Sequence, residues 1–308
     1  MTLNISAAEY LKFNSPDKRF PNNPEVLVEI SLPKDIEGKL PVIITQHGST
    51  RDGKKIEDGA IDEYSKRVIE EGIKQGFAVA AIDAFYKKQV KATDKTVFPN
   101  ATEYANNLRK ILVQDGRFDK NKIFYTGFSY GAEQVLKTIG APFNNQNPSV
   151  WRAAVAAEPG CNSFHEPVKL NFSMLIIKGE ESHYYIEPCK ILEKEILKKG
   201  NNVSLIVLPK ANHYFSTNGK IVKGIAVNGC RYNPIIKKSD GTARMYDGSK
   251  ISRKEARKKC LTSESGKGKN RKKLNEVVKL TVDFFKENLE KGTEMSSKII
   301  QIIGARLN

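Results

Sequence analysis

The chain has 308 residues, of which 39% are hydrophobic; this suffices for a substantial core but does not decide between one large domain and two small ones. Its 51 lysines and arginines against 35 aspartates and glutamates give a formal net charge of +16. Because the basic residues are mostly dispersed and not interleaved with aromatic residues, we interpret them as a solvated face and expect no nucleic-acid partner. No apolar run approaches the ~20 residues of a membrane span, and residues 1–6 lack the regions of a signal peptide, so we expect neither segment.

Predicted strands and helices alternate through the first two thirds of the chain. Apolar residues at every second position from Val26 to Leu32 predict an early antiparallel strand. Short apolar runs predict buried strands at residues 42–45, 77–82, 122–125, 153–157, 174–177 and 203–208. Helical periodicity predicts helices at residues 61–73 and 104–112, directly after residue 131, and near residues 189–199. This order is typical of βαβ units, so we expect an α/β fold with a mostly parallel central sheet and helices on both faces.

The alternation stops between about residues 217 and 270, where glycine, lysine and arginine are frequent and apolar residues are few. We interpret this segment as a basic excursion over the surface of a single domain that spans residues 1–308. Helical periodicity returns at residues 274–285 and predicts an amphipathic helix that packs on the sheet. A last apolar stretch, residues 299–303, predicts a short tail helix that docks on the domain or on a second copy, so we expect a monomer or a homodimer.

The segment Gly127-Phe128-Ser129-Tyr130-Gly131 joins a predicted strand directly to a predicted helix. A Gly-x-Ser-x-Gly pattern in this context is typical of a nucleophile elbow, where a strained turn exposes the serine hydroxyl at the edge of a sheet. We therefore predict Ser129 as a catalytic nucleophile and the backbone N–H of Tyr130, in the first helical turn, as an oxyanion donor. A structural glycine-rich turn is the alternative interpretation.

A serine nucleophile requires a base, and the four histidines of the chain are His47, His165, His183 and His213. His213 follows the last predicted parallel strand, where the chain order of this type of site places the base, so we predict that it accepts the serine proton. His47 follows the first buried strand, and we expect it to brace that loop or to contact substrate. The N–H of Ser49 in the same loop is the expected second oxyanion donor.

Motifs for other chemistries are missing from the sequence, which contains no HExxH, no Walker A loop and no GxGxxG. We therefore expect no metal, nucleotide or dinucleotide cofactor. The four cysteines, Cys161, Cys189, Cys230 and Cys260, have no CxxC spacing and are too dispersed for a zinc knuckle. From the residues alone, three disulfide pairings and four free thiols all stay open.

Together these segments resemble the dienelactone hydrolase family of α/β hydrolases, particularly its exported, cysteine-containing members. The matching pieces span roughly residues 40–290 and are His47-Gly48-Ser49, Gly76–Val79 with Ile82–Phe85, Gly127–Gly131, Pro159-Gly160-Cys161, Gly179-Glu180 with Pro188-Cys189, and His213-Tyr214-Phe215. The resemblance implies the α/β-hydrolase fold, disulfides Cys161–Cys189 and Cys230–Cys260, and a secreted or periplasmic location, with the cytoplasm as the alternative. Serine stands where dienelactone hydrolase itself has a cysteine nucleophile, which favours general ester hydrolysis over dienelactone turnover.

The chain departs from the family pattern at the catalytic acid. The family places an aspartate three residues after the glycine that corresponds to Gly179, and Ser182 stands there in this chain. A serine cannot stabilise an imidazolium as a carboxylate does. Glu158, at the end of the preceding predicted strand, is the preferred replacement; Glu181, in the usual loop, is the alternative, and a site without a functional acid also stays open.

The favoured hypothesis is a serine esterase that cleaves a small-molecule carboxylic ester through an acyl-enzyme. Aromatic residues near the elbow are candidates for its pocket or for core packing: Phe85, Phe128, Tyr130, Tyr184, Tyr185 and Phe215. The rival hypothesis is a catalytically impaired binding protein that kept the fold and lost its acid. Peptidase activity has less support, because no propeller or cap domain is evident in the sequence.

Overall fold

An eight-stranded sheet forms the centre of the structure. The computed structural model describes residues 8–34, 37–49, 61–90, 98–144, 151–213, 223–226, 228–265 and 271–290. The strands along the chain are β1 (Glu9–Asn14), β2 (Glu25–Ser31), β3 (Leu40–Gln46), β4 (Ala78–Asp83), β5 (Phe118–Phe128), β6 (Ala153–Ala157), β7 (Ser163–His165), β8 (Ser173–Gly179), β9 (Val203–Leu208), β10 (Lys223–Ala226), β11 (Ile235–Lys237), β12 (Ala243–Met245) and β13 (Thr262–Ser265).

The order of strands across the central sheet is β1-β2-β4-β3-β5-β6-β8-β9. β2 pairs antiparallel with both β1 and β4, whereas all the pairs from β4 to β9 are parallel. The carboxyl ends of the parallel strands therefore meet at one edge of the sheet. Loops at such an edge form the binding crevice in open α/β sheets.

Helices cover both faces of this sheet. They are α1 (Glu63–Lys74), α2 (Ala101–Gln114), α3 (Tyr130–Lys137), the short α4 (Ala141–Asn144), α5 (Glu187–Lys198), α6 (Arg253–Cys260) and α7 (Arg271–Glu290). Successive side chains of a strand point to opposite faces, so Val42 and Ile44 of β3 pack in the core with α2, α3 and α5, while Ile43 packs with α1 and α7. These features confirm the predicted α/β-hydrolase fold. Among the described helices, none has the length and apolarity needed to cross a membrane.

The predicted buried strands agree closely with the observed ones, and residues 153–157 and 203–208 have the predicted bounds. β5 is longer than predicted. Its first residues were missed because they are partly exposed and form no apolar run. Edge strand β1 was not predicted, since most of its residues are exposed. Ile111, an apolar residue of the predicted helix at residues 104–112, is 36% exposed.

The predicted excursion contains regular structure where it is described. β11 pairs in parallel with β7 and antiparallel with β12, which joins the excursion to the segment after β6. β10 pairs with β13, and Met245 packs in a small separate core. Strands of three or four residues are too short for periodicity to reveal them. The predicted tail helix at residues 299–303 lies outside the described residues.

Two disulfides connect loops to this framework. Cys161–Cys189 joins the segment after β6 to the first turn of α5, and Cys230–Cys260 joins a short 3-10 turn to the end of α6. The loops they close span 28 and 30 residues. Both pairings are those implied by the family resemblance.

Candidate active site

The sharp turn between β5 and α3 holds Ser129 in a strained backbone conformation. Its φ is +52° and its ψ is −110°, a combination that residues with a side chain rarely adopt. The Ser129 N–H donates to Ala157 O in β6, and Ser129 O accepts from the Glu133 N–H, both at 2.9 Å. The turn is thus tied to the sheet on one side and to the helix on the other. The predicted nucleophile therefore lies at the carboxyl edge of the sheet.

Two glycines allow α3 to lie directly against the sheet. A Cβ atom on Gly127 would come within 2.5 Å of Gly131 C, and a Cβ atom on Gly131 would overlap the backbone carbonyl oxygen of Gln46 in β3. Because both clashes would be with backbone, no side chain can move aside to relieve them. Glycine is therefore required on each side of the serine.

Ser129, His213 and Glu158 form a continuous chain of hydrogen bonds. Ser129 Oγ lies 2.9 Å from His213 Nε2, and His213 Nδ1 lies 2.8 Å from Glu158 Oε2. The two bonds fit the tautomer in which Nδ1–H donates to the carboxylate while Nε2 accepts from the hydroxyl. The loops after β5, β6 and β9 thus bring together the residues predicted as nucleophile, acid and base.

Glu158 is fully buried, at a backbone φ of +60° directly after β6. Its Oε1 accepts a short hydrogen bond from the Gly179 N–H, and its Oε2 accepts from His213, Ser182 and Lys178. Burial by itself raises the pKa of this carboxyl, but the Lys178 ammonium and the hydrogen bonds outweigh burial and hold the pKa at about 2. Glu158 is therefore ionised at neutral pH.

Lys178 and Ser182 were not predicted as members of this cluster. Lys178 is the penultimate residue of β8 and is fully buried, with its Nζ 2.9 Å from Glu158 Oε2. Ser182, which stands at the family's usual acid position, donates from its Oγ to the same Glu158 oxygen at 2.8 Å. Lys178 directly follows the apolar run Met174–Ile177, and a charged residue next to such a run was the sequence signal that could have drawn attention to this position.

The alternative acid, Glu181, is exposed, and its backbone N–H donates to Ala211 O at 2.8 Å. The carboxylate of Glu158, by contrast, is fully buried and lies 2.8 Å from His213 Nδ1. Of the two glutamates, Glu158 has the geometry expected of a triad acid.

His47 is fully buried after β3, and both of its ring nitrogens face backbone groups. Nδ1 lies 2.5 Å from Gly48 O, and Nε2 accepts from the Ala84 N–H at 3.1 Å. These bonds brace the loop after β3 against the end of β4. Ser49 follows in the same loop and is half-buried, and Tyr130 is the first residue of α3. The oxyanion roles of Ser49 and Tyr130, and the substrate contact of His47, stay predictions.

Two of the predicted pocket aromatics surround His213. The ring centroids of Tyr184 and Phe128 lie 4.8 and 5.4 Å from that of His213. His183, which had no predicted role, also packs edge-on against His213 at 4.7 Å. Phe85 packs instead with His47 and Tyr130 below the elbow and is 2% exposed. Phe215 lies outside the described residues.

Asn228 anchors the loop that carries His183 and Tyr184. This buried side chain donates from Nδ2 to His183 O at 2.7 Å and accepts at Oδ1 from the Tyr185 N–H at 3.1 Å. Asn228 lies in the same 3-10 turn as Cys230. The basic excursion therefore supports one wall of the site through this residue.

Comparison with solved structures gives distant likenesses. Thermogutta terrifontis esterase 2 phosphorylated by paraoxon matches with a TM-score of 0.50 and 16% identity over 69% of this chain and 86% of that chain. A candidate dienelactone hydrolase from Klebsiella pneumoniae matches with a TM-score of 0.49 and 15% identity over 68% of this chain and 89% of that chain. No family model matches the chain, and no curated protein matches its sequence. The likeness to the Thermogutta structure agrees with the α/β-hydrolase fold and extends no further than the fold.

Proposed function

We propose that the protein is a serine hydrolase that cleaves carboxylic esters. The observation that supports this most is the hydrogen-bond chain from Ser129 through His213 to Glu158, built on the strained backbone of a nucleophile elbow. A hydroxyl at Nε2 and an ionised carboxylate at Nδ1 form the arrangement that activates serine for acyl transfer.

In the proposed reaction, Ser129 Oγ attacks the acyl carbon and its proton passes to His213 Nε2. Glu158 stabilises the imidazolium, and the N–H groups of Tyr130 and Ser49 donate to the oxyanion. His213 then returns the proton to the departing alcohol, which leaves an acyl group on Ser129 Oγ. Water hydrolyses this acyl-enzyme by the same route, with His213 again accepting and returning the proton.

The rings around His213 support a small substrate. Tyr184, Phe128 and His183 pack within 5.4 Å of the imidazole centroid, so rings surround the base. We infer that the ester has a short acyl chain or an aromatic group that packs against these rings. Serine as the nucleophile favours general esters over dienelactones.

We also infer export to the periplasm or the medium. Two disulfides and no free cysteine among the described residues are typical of proteins that fold in an oxidising compartment. This inference is tested by the redox state of the four cysteines in protein isolated from its native source. Alkylation of all four without prior reduction contradicts it.

The Ser129→Ala variant tests the proposed hydrolase. We expect wild-type protein to hydrolyse nitrophenyl esters of short acyl chains and to be labelled at Ser129 by a fluorophosphonate probe. The variant should lose both properties, with kcat reduced by roughly 10⁴–10⁶, because the nucleophile is gone. Its melting temperature should stay within a few degrees of wild type, since no other backbone or core contact is removed.

Ser15→Ala is the matched control, since Ser15 is buried and its Oγ accepts from Asn107 at 2.8 Å, away from the site. This variant should be labelled and remain active. Wild-type protein that is neither labelled nor active on any chain length would favour the binding-protein alternative.

A further inference from the structure

The Lys178 side chain contacts Glu158, and the proposed reaction leaves its role unassigned. It is fully buried at the end of β8, between β6 and β9 in the sheet. An isolated ammonium in such a place is strongly disfavoured, because it loses its hydration. Its presence there requires a specific set of partners.

Lys178 has a full set of such partners. Its Nζ donates to Glu158 Oε2 at 2.9 Å, to Ser182 Oγ at 3.0 Å and to Pro159 O at 3.2 Å. An ammonium has three N–H donors and no acceptor, so these three oxygens satisfy the charged form completely. The Tyr184 ring centroid lies 5.5 Å from Nζ and adds a cation–π contact.

Ser182 completes a closed ring of hydrogen bonds. Its Oγ accepts from Lys178 and donates to Glu158 Oε2, so serine and lysine bind the same carboxylate oxygen that faces His213. The usual acid position thus holds a hydroxyl that supports the relocated acid. This arrangement fits a glutamate that has moved to the neighbouring strand.

We propose that Lys178 is a positioning residue that fixes Glu158 in its ionised form and limits how strongly the Glu158–His213 pair binds a proton, with Ser182 in the same role. This inference rests on the proposed function only for its effect on the reaction. Lys178 touches no reacting atom and acts through Glu158.

The charge balance at the site explains why such a residue matters. A buried carboxylate next to His213 attracts a proton to the pair, and a protonated pair contains either an imidazolium that cannot act as base or a neutral acid. The Lys178 charge opposes that uptake. Burial lowers the pKa of Lys178 itself, and the Glu158 charge and hydrogen bond counteract that lowering. The other titratable groups that face the cluster are Tyr184, His183 and Glu133 of α3. The negative charge of Glu133 favours the charged form of Lys178.

Imidazole NMR of the Lys178→Met variant tests the proposal without relying on activity. The chain has only four histidines, so the His213 resonances can be assigned with one further variant. We expect the pH of proton uptake at the His213 pair to rise by at least about one unit in Lys178→Met. The acid limb of kcat/KM against pH should move in the same direction.

Lys88→Met is the matched control, because Lys88 is also a buried lysine but its Nζ donates to the backbone oxygen of Glu25 at 2.7 Å. This variant should leave the His213 titration unchanged. An unchanged His213 titration in folded Lys178→Met overturns the proposal. Failure of fluorophosphonate labelling in wild-type protein overturns the proposed function instead. The NMR titration tests the role of Lys178 independently of that outcome.

Two further variants keep the proposal testable if Lys178→Met does not fold. Ser182→Ala should raise the uptake pH by a smaller amount, and no change overturns the proposal. The double variant Lys178→Met with Glu158→Gln removes both charges and should be more stable than Lys178→Met alone. If the loss of melting temperature in the double variant equals the sum of the losses in the two single variants, the two residues are not coupled and the proposal is contradicted.

Discussion

Glu158 meets three separate conditions for a charged carboxylate in a fully buried position. It accepts hydrogen bonds from a backbone N–H and a hydroxyl, it faces an ammonium, and it lies within hydrogen-bond distance of the His213 imidazole. Three of these partners lie in β8 or just after it and the fourth lies in the loop after β9, so the carboxylate connects both segments to the end of β6. A change at this residue therefore affects charge, tautomer and loop position together.

Glu158→Gln should reduce kcat by roughly 10²–10⁴, because the amide lacks the charge and permits the wrong imidazole tautomer. Glu181→Gln is the control from the neighbouring loop, and its loss should stay below about tenfold. Steady-state kinetics of both variants on one nitrophenyl ester decide between the two glutamates. A severe loss in Glu181→Gln with a mild one in Glu158→Gln would contradict the relocation of the acid.

At the scale of elements, the site depends on how closely α3 approaches β3. Gly131 lies in the first turn of α3, and the Gln46 backbone occupies the space that any side chain at this position would need. α3 can lie this close to β3 only because the side chain at position 131 is a single hydrogen atom. The position of Ser129 follows from that distance.

Gly131→Ala should destabilise the protein by about 1–3 kcal/mol or more, because the methyl group must push helix and strand apart. Activity should fall with it, since the elbow moves. Gly116→Ala is a suitable control: a Cβ there meets no atom within 4 Å, so thermal unfolding should be nearly unchanged. Equal melting temperatures for the two variants would refute this account of the packing.

The pairing of β7 with β11 should make the stability of the protein sensitive to mild acid. Burial lowers the pKa of His165 to about 4, and the neighbouring Lys237 and Lys137 charges act in the same direction. Because the unfolded chain binds the proton near its ordinary pKa of roughly 6.5, this contribution to stability is complete above that pH. It is lost progressively as the pH falls from there to about 4.

His165→Gln tests this dependence, because glutamine cannot take up the proton. The difference in melting temperature between wild type and variant, measured at pH 7.5 and again at pH 5, should shift in favour of the variant at the lower pH. If that difference in melting temperature is the same at both pH values, the pKa of His165 does not change on folding.

The sequence predicts those parts of the fold that depend on local pattern. The apolar runs of β3, β4, β6 and β9 and the Gly-x-Ser-x-Gly turn each carry their own signal within a few residues. β7, β11 and β12 do not, because three residues have no measurable period, and the pairing of β7 with β11 joins segments about 70 residues apart.

The candidate site divides in the same way. Ser129 and His213 stand in recognisable motifs, and Glu158 is a charged residue at the end of an alanine-rich strand. The sequence signal at Lys178 is weaker, because a lysine at the end of a strand usually reaches solvent and only the packing of β6 and β9 around it prevents this. The partner that makes Glu158 tenable is visible only in three dimensions.

At the scale of the whole molecule, the two disulfides connect the site to distant parts of the chain. Each closes a loop of about 30 residues, worth roughly 3–4 kcal/mol in the chain-entropy model. Cys161 of the first disulfide follows Glu158 by three residues, and Cys230 of the second lies in the same 3-10 turn as Asn228. Reduction should therefore affect the site as well as stability.

Replacing Cys230 and Cys260 together by serine should lower the melting temperature by several degrees and reduce kcat/KM, because Asn228 loses its fixed position under His183 and Tyr185. Differential scanning calorimetry and ester kinetics measure the two effects. The Cys161 and Cys189 pair of substitutions serves as comparison and should lower stability to a similar extent. Unchanged kinetics in the Cys230 and Cys260 variant would show that Asn228 is held without the disulfide.

The anchoring of the His183–Tyr185 loop by Asn228 also sets an order of events during synthesis. Ser129, Glu158 and His213 leave the ribosome before Asn228, and Cys260 follows some thirty residues later. The three reactive groups are therefore synthesised before the residue that supports the wall beside them. We expect the mature rate of turnover to arise only after the second thiol pair is oxidised, so that the compartment where the chain folds also determines when it starts to work.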